Sequence, residues 1–160
     1  MKQKTIIFDI LIVCFVFILG ILISNIFQTQ TDIPYGNSEE KISPGNWIKT
    51  NQINVYEDRV VLHLENTRFV EIADTNSMDP ILDNGANAIE ITDFEPEELN
   101  VGDIISFKIE TGETYIHRIV AKNHDSQGLY FITKGDNNPK ADPIIVRGPE
   151  ILGVVGLIVY

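Results

Sequence analysis

Residues 103–121 read DIISFKIETGETYIHRIVA and contain two runs typical of β-strands, 103–109 and 114–121. Both runs are rich in β-branched and aromatic residues, and a short segment with one glycine separates them. Similar short runs occur on both sides of this stretch, at INVY (53–56), RVVLHL (59–64), RFVEIA (68–73), 86–91, 129–133 and 151–160. No stretch after Phe27 has a sustained helical period, although DFEPEEL (93–99) is compatible with one short helical turn. The pattern therefore predicts a mainly β domain, either a sandwich or a partly open barrel.

An apolar run, IIFDILIVCFVFILGILI, occupies residues 6–23 and contains a single charged residue. Its length is sufficient to cross the hydrocarbon core of a bilayer as a helix. A cleaved signal peptide would have a shorter apolar region and a pair of small residues at its end, which ISNIFQTQT (23–31) does not offer. Residues 1–27 are therefore predicted to be an uncleaved transmembrane anchor. Lys2 and Lys4 precede the run, which predicts a cytoplasmic N-terminus and a domain outside the cytoplasm.

The net charge of −11 is distributed unevenly along the 160 residues. Residues 1–27 contain two lysines and one aspartate, so residues 28–160 contain 10 basic and 22 acidic residues and carry a net charge of −12. Phosphate would repel such a domain, which excludes nucleic acid as a partner. The sequence has one cysteine, Cys14, which excludes a disulfide within the chain.

The composition divides the chain into three segments: the anchor, a linker and one β domain. Residues 28–52 mix Gly, Pro, Ser, Asn and acidic residues with few apolar ones and are predicted to be the linker. Trp47 in this linker is either a membrane-interface or docking aromatic residue, or a surface residue of a loop. Residues 53–160 are long enough for one hydrophobic core and are predicted to be the β-rich domain.

Ser77 and His117 are the candidate nucleophile and base. Ser77 lies in DTNSMDP (74–80), where a serine at a strand exit can present its hydroxyl on a bent backbone whose amides point at a carbonyl oxygen. Ser and Asn beside Asp-Pro are also ordinary turn residues. His117 lies in the predicted strand 114–121 and is either a base or a histidine satisfied within the core. His63 lies in an earlier predicted strand, and His124 lies in NHDSQG (123–128), which is typical of a solvated turn.

A polar loop, TKGDNNPKAD (133–142), supplies two candidate carboxylates, Asp136 and Asp142. Either one could orient an imidazole, and a histidine so oriented could activate a serine near neutral pH. A calcium loop is the competing interpretation. The run lacks the alternating oxygen ligands and the distal glutamate of an EF-hand, so no metal is expected.

Five short stretches resemble those of signal peptidase I enzymes of the type found in archaea and the endoplasmic reticulum, in which histidine replaces the bacterial catalytic lysine. They occur in the order found in the family and follow a predicted membrane anchor. The stretches are SMDP (77–80), VGDIISF (101–107), HRIV (117–120), TKGDNN (133–138) followed by Asp142, and LGVVGLI (152–158). The resemblance covers residues 1–27 and about 70–160. It implies a signal-peptidase-like β domain and a membrane-anchored serine endopeptidase without a cofactor. Its substrates would be signal peptides of exported preproteins, cut after small residues, and accessory membrane subunits are possible partners.

The resemblance also implies roles for individual residues. Ser77 corresponds to the nucleophile and His117 to the general base, while Asp142 is the favoured third residue and Asp136 a close second. Bacterial members use a hydroxyl two residues before the nucleophile in the oxyanion hole, which implies this role for Thr75, with the backbone N–H of Ser77 as second donor. A bacterial-type dyad with Lys134 or Lys140 is the alternative, but both lysines lie in an acid-rich segment that favours their charged form. The expected site thus contains Ser77, His117, Asp142, Asp136 and Thr75.

Two features depart from the family pattern. Asn76 stands where the family usually has glycine, although asparagine tolerates left-handed backbone better than most residues. About fifty residues separate Phe27 from Ser77, and among them 53–69 are a possible added hairpin.

Two alternative functions therefore stay open. One is a membrane protease with a narrow set of clients, for which the hairpin would be a docking element. The other is a catalytically inactive membrane-anchored β module that binds peptides or a partner.

Overall fold

The computed structural model describes residues 41–160, together with Phe15, Ile18 and Leu19, whose backbone is helical. Apart from these three residues, the predicted anchor (1–27) lies outside the described residues, as does the predicted linker before Lys41. Within the described part of the chain, no helix is both long enough and apolar enough to span a bilayer.

The domain is built from antiparallel strands, as the sequence predicts, and its mainly β character is confirmed. In residues 41–160 the strands are β1 (Ile53–Val55), β2 (Val60–Leu62), β3 (Thr67–Glu71), β4 (Asn87–Ile91), β5 (Ile104–Lys108), β6 (Thr114–Asp125), β7 (Gly128–Lys134), β8 (Ile145–Val146) and β9 (Ile151–Val159). Short 3₁₀ helices span Thr50–Gln52, Pro96–Glu98 and Gly148–Glu150. The second of these lies within DFEPEEL, where one helical turn is expected.

Seven of the strands form one sheet in the order β3-β4-β9-β5-β6-β7-β8. The stretch NHDSQG, predicted to be a turn, is mostly strand. β6 continues to Asp125, and His124 pairs with Leu129 of β7. Only Ser126 and Gln127 form the turn, because cross-strand pairing extends the ladder past the polar residues.

The central strand β5 is buried on both faces of the sheet. Ile105 and Phe107 join one apolar cluster, in which Val154 of β9 also lies, whereas Ile104 joins a second cluster. The second cluster contains Met78, Leu82, Ala88, Ile104 and Val155. Successive residues of a strand point to opposite faces, so two cores explain why the run IISF is apolar without strict alternation.

β1 and β2 pair with each other in a two-stranded sheet separate from the larger one. Ile53 faces Leu62, and Val55 faces Val60, so these four side chains share one face of the hairpin. Val55 is 75% exposed and Val60 59% exposed. The possible added hairpin (53–69) also includes the first residues of β3. This strand belongs to the larger sheet and lies at its edge.

Residues 42–48, in the predicted linker, pack on the domain through Asp103, which is fully buried. The Asp103 carboxylate accepts hydrogen bonds from Gly45 N–H (2.6 Å), from the Trp47 indole N–H (3.1 Å) and from Asn100 N–H (2.8 Å). The Trp47 ring meets Phe94 edge-on, with ring centroids 6.2 Å apart. Trp47 is therefore a half-buried packing residue, because its indole has both an apolar neighbour and a hydrogen-bond acceptor.

Candidate active site

Ser77 lies at the start of a tight turn whose backbone is bent at the preceding residue. Asn76 has φ = 57°, in the left-handed region that asparagine adopts more readily than most residues. After Ser77 the chain turns so that the N–H groups of Ile81 and Leu82 both donate to the Met78 carbonyl, at 3.0 Å each. Met78 and Leu82 are buried in the second core cluster and anchor the turn. This anchoring fixes the position of Ser77 relative to the core.

The imidazole of His117 lies between Ser77 and Asp142. Its Nε2 is 3.2 Å from Ser77 Oγ, and its Nδ1 is 2.7 Å from Asp142 Oδ2. Beside an ionised carboxylate, which can only accept hydrogen bonds, Nδ1 would carry the proton and Nε2 would accept from the Ser77 hydroxyl. His117 is 4% exposed, and the rings of Phe107 and Tyr115 pack beside it with centroids 6.4 and 5.9 Å away. These rings restrict the rotation of the imidazole.

Asp142 is held by the end of β7. Its backbone N–H donates to the Thr133 carbonyl (2.8 Å), and the Thr133 hydroxyl donates to Asp142 Oδ2 (2.7 Å). Asp142 is thus attached to Thr133 by both backbone and side chain, and its Oδ2 receives two donors, one from Thr133 and one from His117.

Asp136 has a different partner, Arg118. The Arg118 guanidinium donates Nε–H to Asp136 Oδ1 (2.7 Å) and Nη2–H to Asp136 Oδ2 (2.6 Å), and its Nη1 donates to the Gly102 carbonyl (2.7 Å). His117 and Arg118 are neighbours in β6, so their side chains point to opposite faces of the sheet. The two aspartates are accordingly divided between the two faces, with Asp142 at the imidazole.

The loop that Asp136 begins holds the backbone of Ser77. Asn137 N–H donates to the Ser77 carbonyl (3.0 Å), and the Asn137 side-chain amide donates to the Asn76 carbonyl (3.0 Å). A Cβ on Gly135 would lie 2.5 Å from the Ser77 carbonyl oxygen, so this close approach requires glycine. The Arg118–Asp136 ion pair is therefore linked to Ser77 through this loop and not through the imidazole.

The remaining candidate residues differ in their hydrogen-bond partners and in their exposure. Thr75 Oγ1 is 3.1 Å from Ser77 Oγ, within hydrogen-bond distance. Lys134 Nζ donates to the carbonyls of Gly135 and Asn138. His63 pairs with Asn54 in the β1–β2 hairpin. Lys140 and His124 are exposed. In the part of the chain that the structure describes, no group of histidine, cysteine and acidic residues could hold a metal ion.

A cleft of about 440 Å³ leads to Ser77 and His117. Its walls are the end of β3 with the residues that follow it, 70–78, and the start of β6, 113–117. β3 is the outer strand of the sheet, and β6 pairs with β7 only from Arg118 onward, so both walls present unpaired backbone within the described domain. The apolar part of the lining consists of Val70, Ile72, Ala73, Met78, Leu82 and Ile116.

The lining of this cleft also contains two acidic residues, Glu71 and Glu113. Tyr115 O–H donates to Glu113 Oε2 at 3.3 Å, and the negative charge of Glu113 raises the pKa of the Tyr115 phenol above its usual value. Glu71 lines the same cleft from the β3 side.

Three residues at the site were not among the candidates from the sequence: Thr133, Arg118 and Asn137. Each lies in one of the motifs TKGDNN and HRIV. Threonine, arginine and asparagine are common at strand ends and in loops, so their presence there does not indicate a role. Their roles depend on contacts with Asp142, Asp136 and the Ser77 backbone. Such contacts join distant parts of the sequence and leave no periodic signal.

Comparison with known proteins gives weak similarity to signal peptidases. The chain is 40% identical over 79 residues to signal peptidase I W of Bacillus subtilis (strain 168), covering 48% of this chain and 40% of that protein. It is 31% identical over 70 residues to the signal peptidase complex catalytic subunit SEC11C of Homo sapiens and to that of Mus musculus, covering 42% of this chain and 36% of each relative. No family model matches the chain. The chain therefore spans about two fifths of the length of the curated relatives it matches.

This partial similarity supports a relation to the signal peptidase I family. Relatives from both a bacterium and mammals match, so the similarity does not separate the bacterial from the archaeal and endoplasmic-reticulum type.

Proposed function

We propose that the protein is a membrane-anchored serine endopeptidase that removes signal peptides from exported preproteins, with Ser77 as nucleophile, His117 as general base and Asp142 as the carboxylate that orients the base. The observation that carries this proposal is the chain of contacts from Ser77 Oγ through both nitrogens of His117 to Asp142 Oδ2, at 3.2 and 2.7 Å. A serine needs such a base, and the base needs such a carboxylate, to be nucleophilic near neutral pH.

In the proposed reaction, Ser77 Oγ attacks the scissile carbonyl carbon while its proton passes to His117 Nε2. The carbonyl oxygen becomes an oxyanion, which the Thr75 hydroxyl and the Ser77 backbone N–H are proposed to stabilise. His117 then returns the proton to the leaving amine as the C–N bond breaks, and an acyl-enzyme remains on Ser77. Water, deprotonated by His117, then attacks the ester carbonyl. The ester bond to Ser77 Oγ breaks, the signal peptide leaves with a new carboxyl terminus, and the proton passes from His117 back to Ser77 Oγ.

The cleft supports an extended peptide as substrate. Two strands with unpaired backbone line it, and an extended peptide can hydrogen-bond to such edges while its side chains alternate into pockets. The pocket beside Ser77 is bounded by buried Met78 and Leu82, which favours small side chains next to the cleaved bond. The relatives SEC11C are catalytic subunits of a signal peptidase complex, so accessory membrane subunits are proposed partners here as well.

The proposed location is the membrane, with residues 1–27 as anchor, the N-terminus in the cytoplasm and the β domain outside it. The apolar run 6–23 and the two lysines before it support this topology.

The test is cleavage of a preprotein by the full chain in detergent, with Ser77→Ala beside the wild type. We expect the variant to lose at least about 10³-fold in kcat, because triad members act as a unit. Ser126→Ala, in the exposed β6–β7 turn, is the matched control and should cleave normally. A serine-directed acylating probe should label the wild type and Ser126→Ala but not Ser77→Ala. Undiminished cleavage by a folded Ser77→Ala variant would overturn the proposal.

One observation favours a second candidate, a protease of the same chemistry with a narrow set of clients. The β1–β2 hairpin forms a sheet separate from the main one and exposes the apolar side chains of Val55 and Val60. A docking element would present such an apolar surface to its client. Deleting residues 53–62 should then abolish cleavage of such a client while a short peptide substrate is still cut. Equal processing of many unrelated preproteins by the wild type would favour the general function instead.

A further inference from the structure

Thr133 is a fully buried polar residue next to the candidate triad. It lies on β7 opposite Ile119 of β6, which is also fully buried, so its side chain has an apolar neighbour across the ladder. Its hydroxyl donates to Asp142 Oδ2 at 2.7 Å, and its carbonyl accepts from Asp142 N–H at 2.8 Å. Valine has nearly the same shape and would suit an apolar environment equally well, so the hydroxyl itself is the feature that calls for explanation.

The geometry of the carboxylate supplies that explanation. A carboxylate at the end of a rotatable side chain can turn either oxygen toward an imidazole or turn away from it. Here the Thr133 hydroxyl and His117 Nδ1–H both donate to the same oxygen, Oδ2, which selects one rotamer of Asp142. The backbone contact between Thr133 and Asp142 fixes the point from which that side chain starts. With Asp142 so oriented, the proton of His117 stays on Nδ1 and Nε2 stays free to accept from Ser77.

We propose that Thr133 is a positioning residue of the active site, which holds Asp142 in the rotamer that fixes the tautomer of His117. This inference rests on the proposed function, because it concerns the efficiency of the same base. It assigns Thr133 no contact with the substrate, so its loss should change kcat and leave KM nearly constant.

The experiment compares Thr133→Val, Thr133→Ser and the control Thr67→Val in the full chain in detergent. Thr133→Val removes the donor at constant shape and should lower kcat about 10- to 100-fold, the size expected for one hydrogen bond to a charged group. Thr133→Ser keeps the hydroxyl and should recover most of the activity. Thr67 is an exposed threonine of β3, and Thr67→Val should behave like the wild type.

A second readout does not depend on activity. The chain has three histidines, so ¹⁵N labelling of histidine resolves the tautomer of His117 by NMR. We expect the Nδ1–H tautomer in the wild type and in Thr133→Ser, and a mixture of tautomers in Thr133→Val. A Thr133→Val protein with wild-type kcat, or one with the Nδ1–H tautomer alone, would overturn the inference. Equal losses in the Val and Ser variants would do so too, since packing rather than the hydroxyl would then be responsible.

The two proposals fail in different ways. If Ser77→Ala cleaves as well as the wild type, the proposed function is wrong, whatever Thr133 does. If Ser77→Ala is inactive and Thr133→Val is not impaired, the function stands and the inference is wrong.

Discussion

Arg118 and Asp136 form a bidentate ion pair, with Arg118 Nε 2.7 Å from Asp136 Oδ1 and Arg118 Nη2 2.6 Å from Asp136 Oδ2. The pair lies on the opposite face of β6 from His117. Both side chains are about four-fifths buried, with 19% and 20% exposed. The pair begins the loop in which Asn137 holds the carbonyls of Asn76 and Ser77. Asp136 is thus connected to Ser77 through the backbone, whereas Asp142 is connected to it through the imidazole.

We predict that Arg118→Lys lowers kcat/KM about 10-fold. Lysine keeps the positive charge but cannot donate in the paired geometry of a guanidinium, so the loop holding Ser77 should loosen. Cleavage assays measure the loss, and hydrogen exchange at Asn137 N–H should become faster. Arg147→Lys, which alters the more exposed ion pair with Asp125, is the control and should leave cleavage unchanged. Wild-type exchange at Asn137 in Arg118→Lys would contradict the mechanism.

The left-handed backbone of Asn76 predicts a dependence on residue type. Asn76→Gly should leave the free energy of unfolding within about 0.5 kcal/mol of the wild type, because glycine adopts φ = 57° without strain. Asn76→Val should destabilise the domain by about 2 kcal/mol, since a β-branched residue is strained there. Urea denaturation measures both. Asn123→Val, on the extended strand β6, serves as control and should be tolerated; equal effects at the two positions would argue against backbone strain.

An ion pair between the partly exposed Arg68 and the fully buried Glu90 should stabilise the β3 wall of the cleft. Glu90 is fully buried, its Oε1 has no hydrogen-bond partner among the described residues, and its Oε2 accepts from Arg68 Nε at 3.0 Å. Arg68 also donates to Ser106 Oγ at 2.8 Å and so connects the edge strand β3 to the central strand β5. We predict that Arg68→Met destabilises the domain by about 3 kcal/mol, because it leaves a buried carboxylate unpaired.

The double variant Arg68→Met, Glu90→Met tests the reason for that loss. It removes both charges and should recover most of the stability in urea denaturation. A double variant no more stable than Arg68→Met would mean that packing, rather than the unpaired charge, causes the effect.

Asp103 should determine whether residues 42–48 stay on the domain. Asp103→Ala removes the acceptor of three hydrogen bonds and should destabilise the domain by about 3 kcal/mol. Trp47→Phe removes only the indole donor and should cost about 1 kcal/mol. Thermal unfolding gives both values, and limited proteolysis should cut before Trp47 faster in Asp103→Ala. Cleavage at the wild-type rate there would show that other contacts hold the segment.

The strands were largely predictable because their signal is local. Alternating β-branched residues bounded by glycine and polar residues predicted every strand of the main sheet except β8, which has only two residues. The end of β6 was missed because pairing with β7 extends the ladder through NHDSQG. The attachment of residues 42–48 was missed because its centre, Asp103, is distant in sequence from Gly45 and Trp47.

The mainly β domain and the short set of residues able to carry the chemistry follow from the sequence alone, and the transmembrane anchor stays a prediction from its apolar run. Which of these residues meet depends on the folded chain, which places Asp142 rather than Asp136 at the imidazole, Thr133 next to Asp142, and Asn137 next to Ser77. Strand register explains this arrangement. His117 and Arg118 are adjacent and face opposite sides, so the pairing of β6 with β7 assigns each aspartate to its side. Register depends on contacts between distant segments, which local periodicity does not encode.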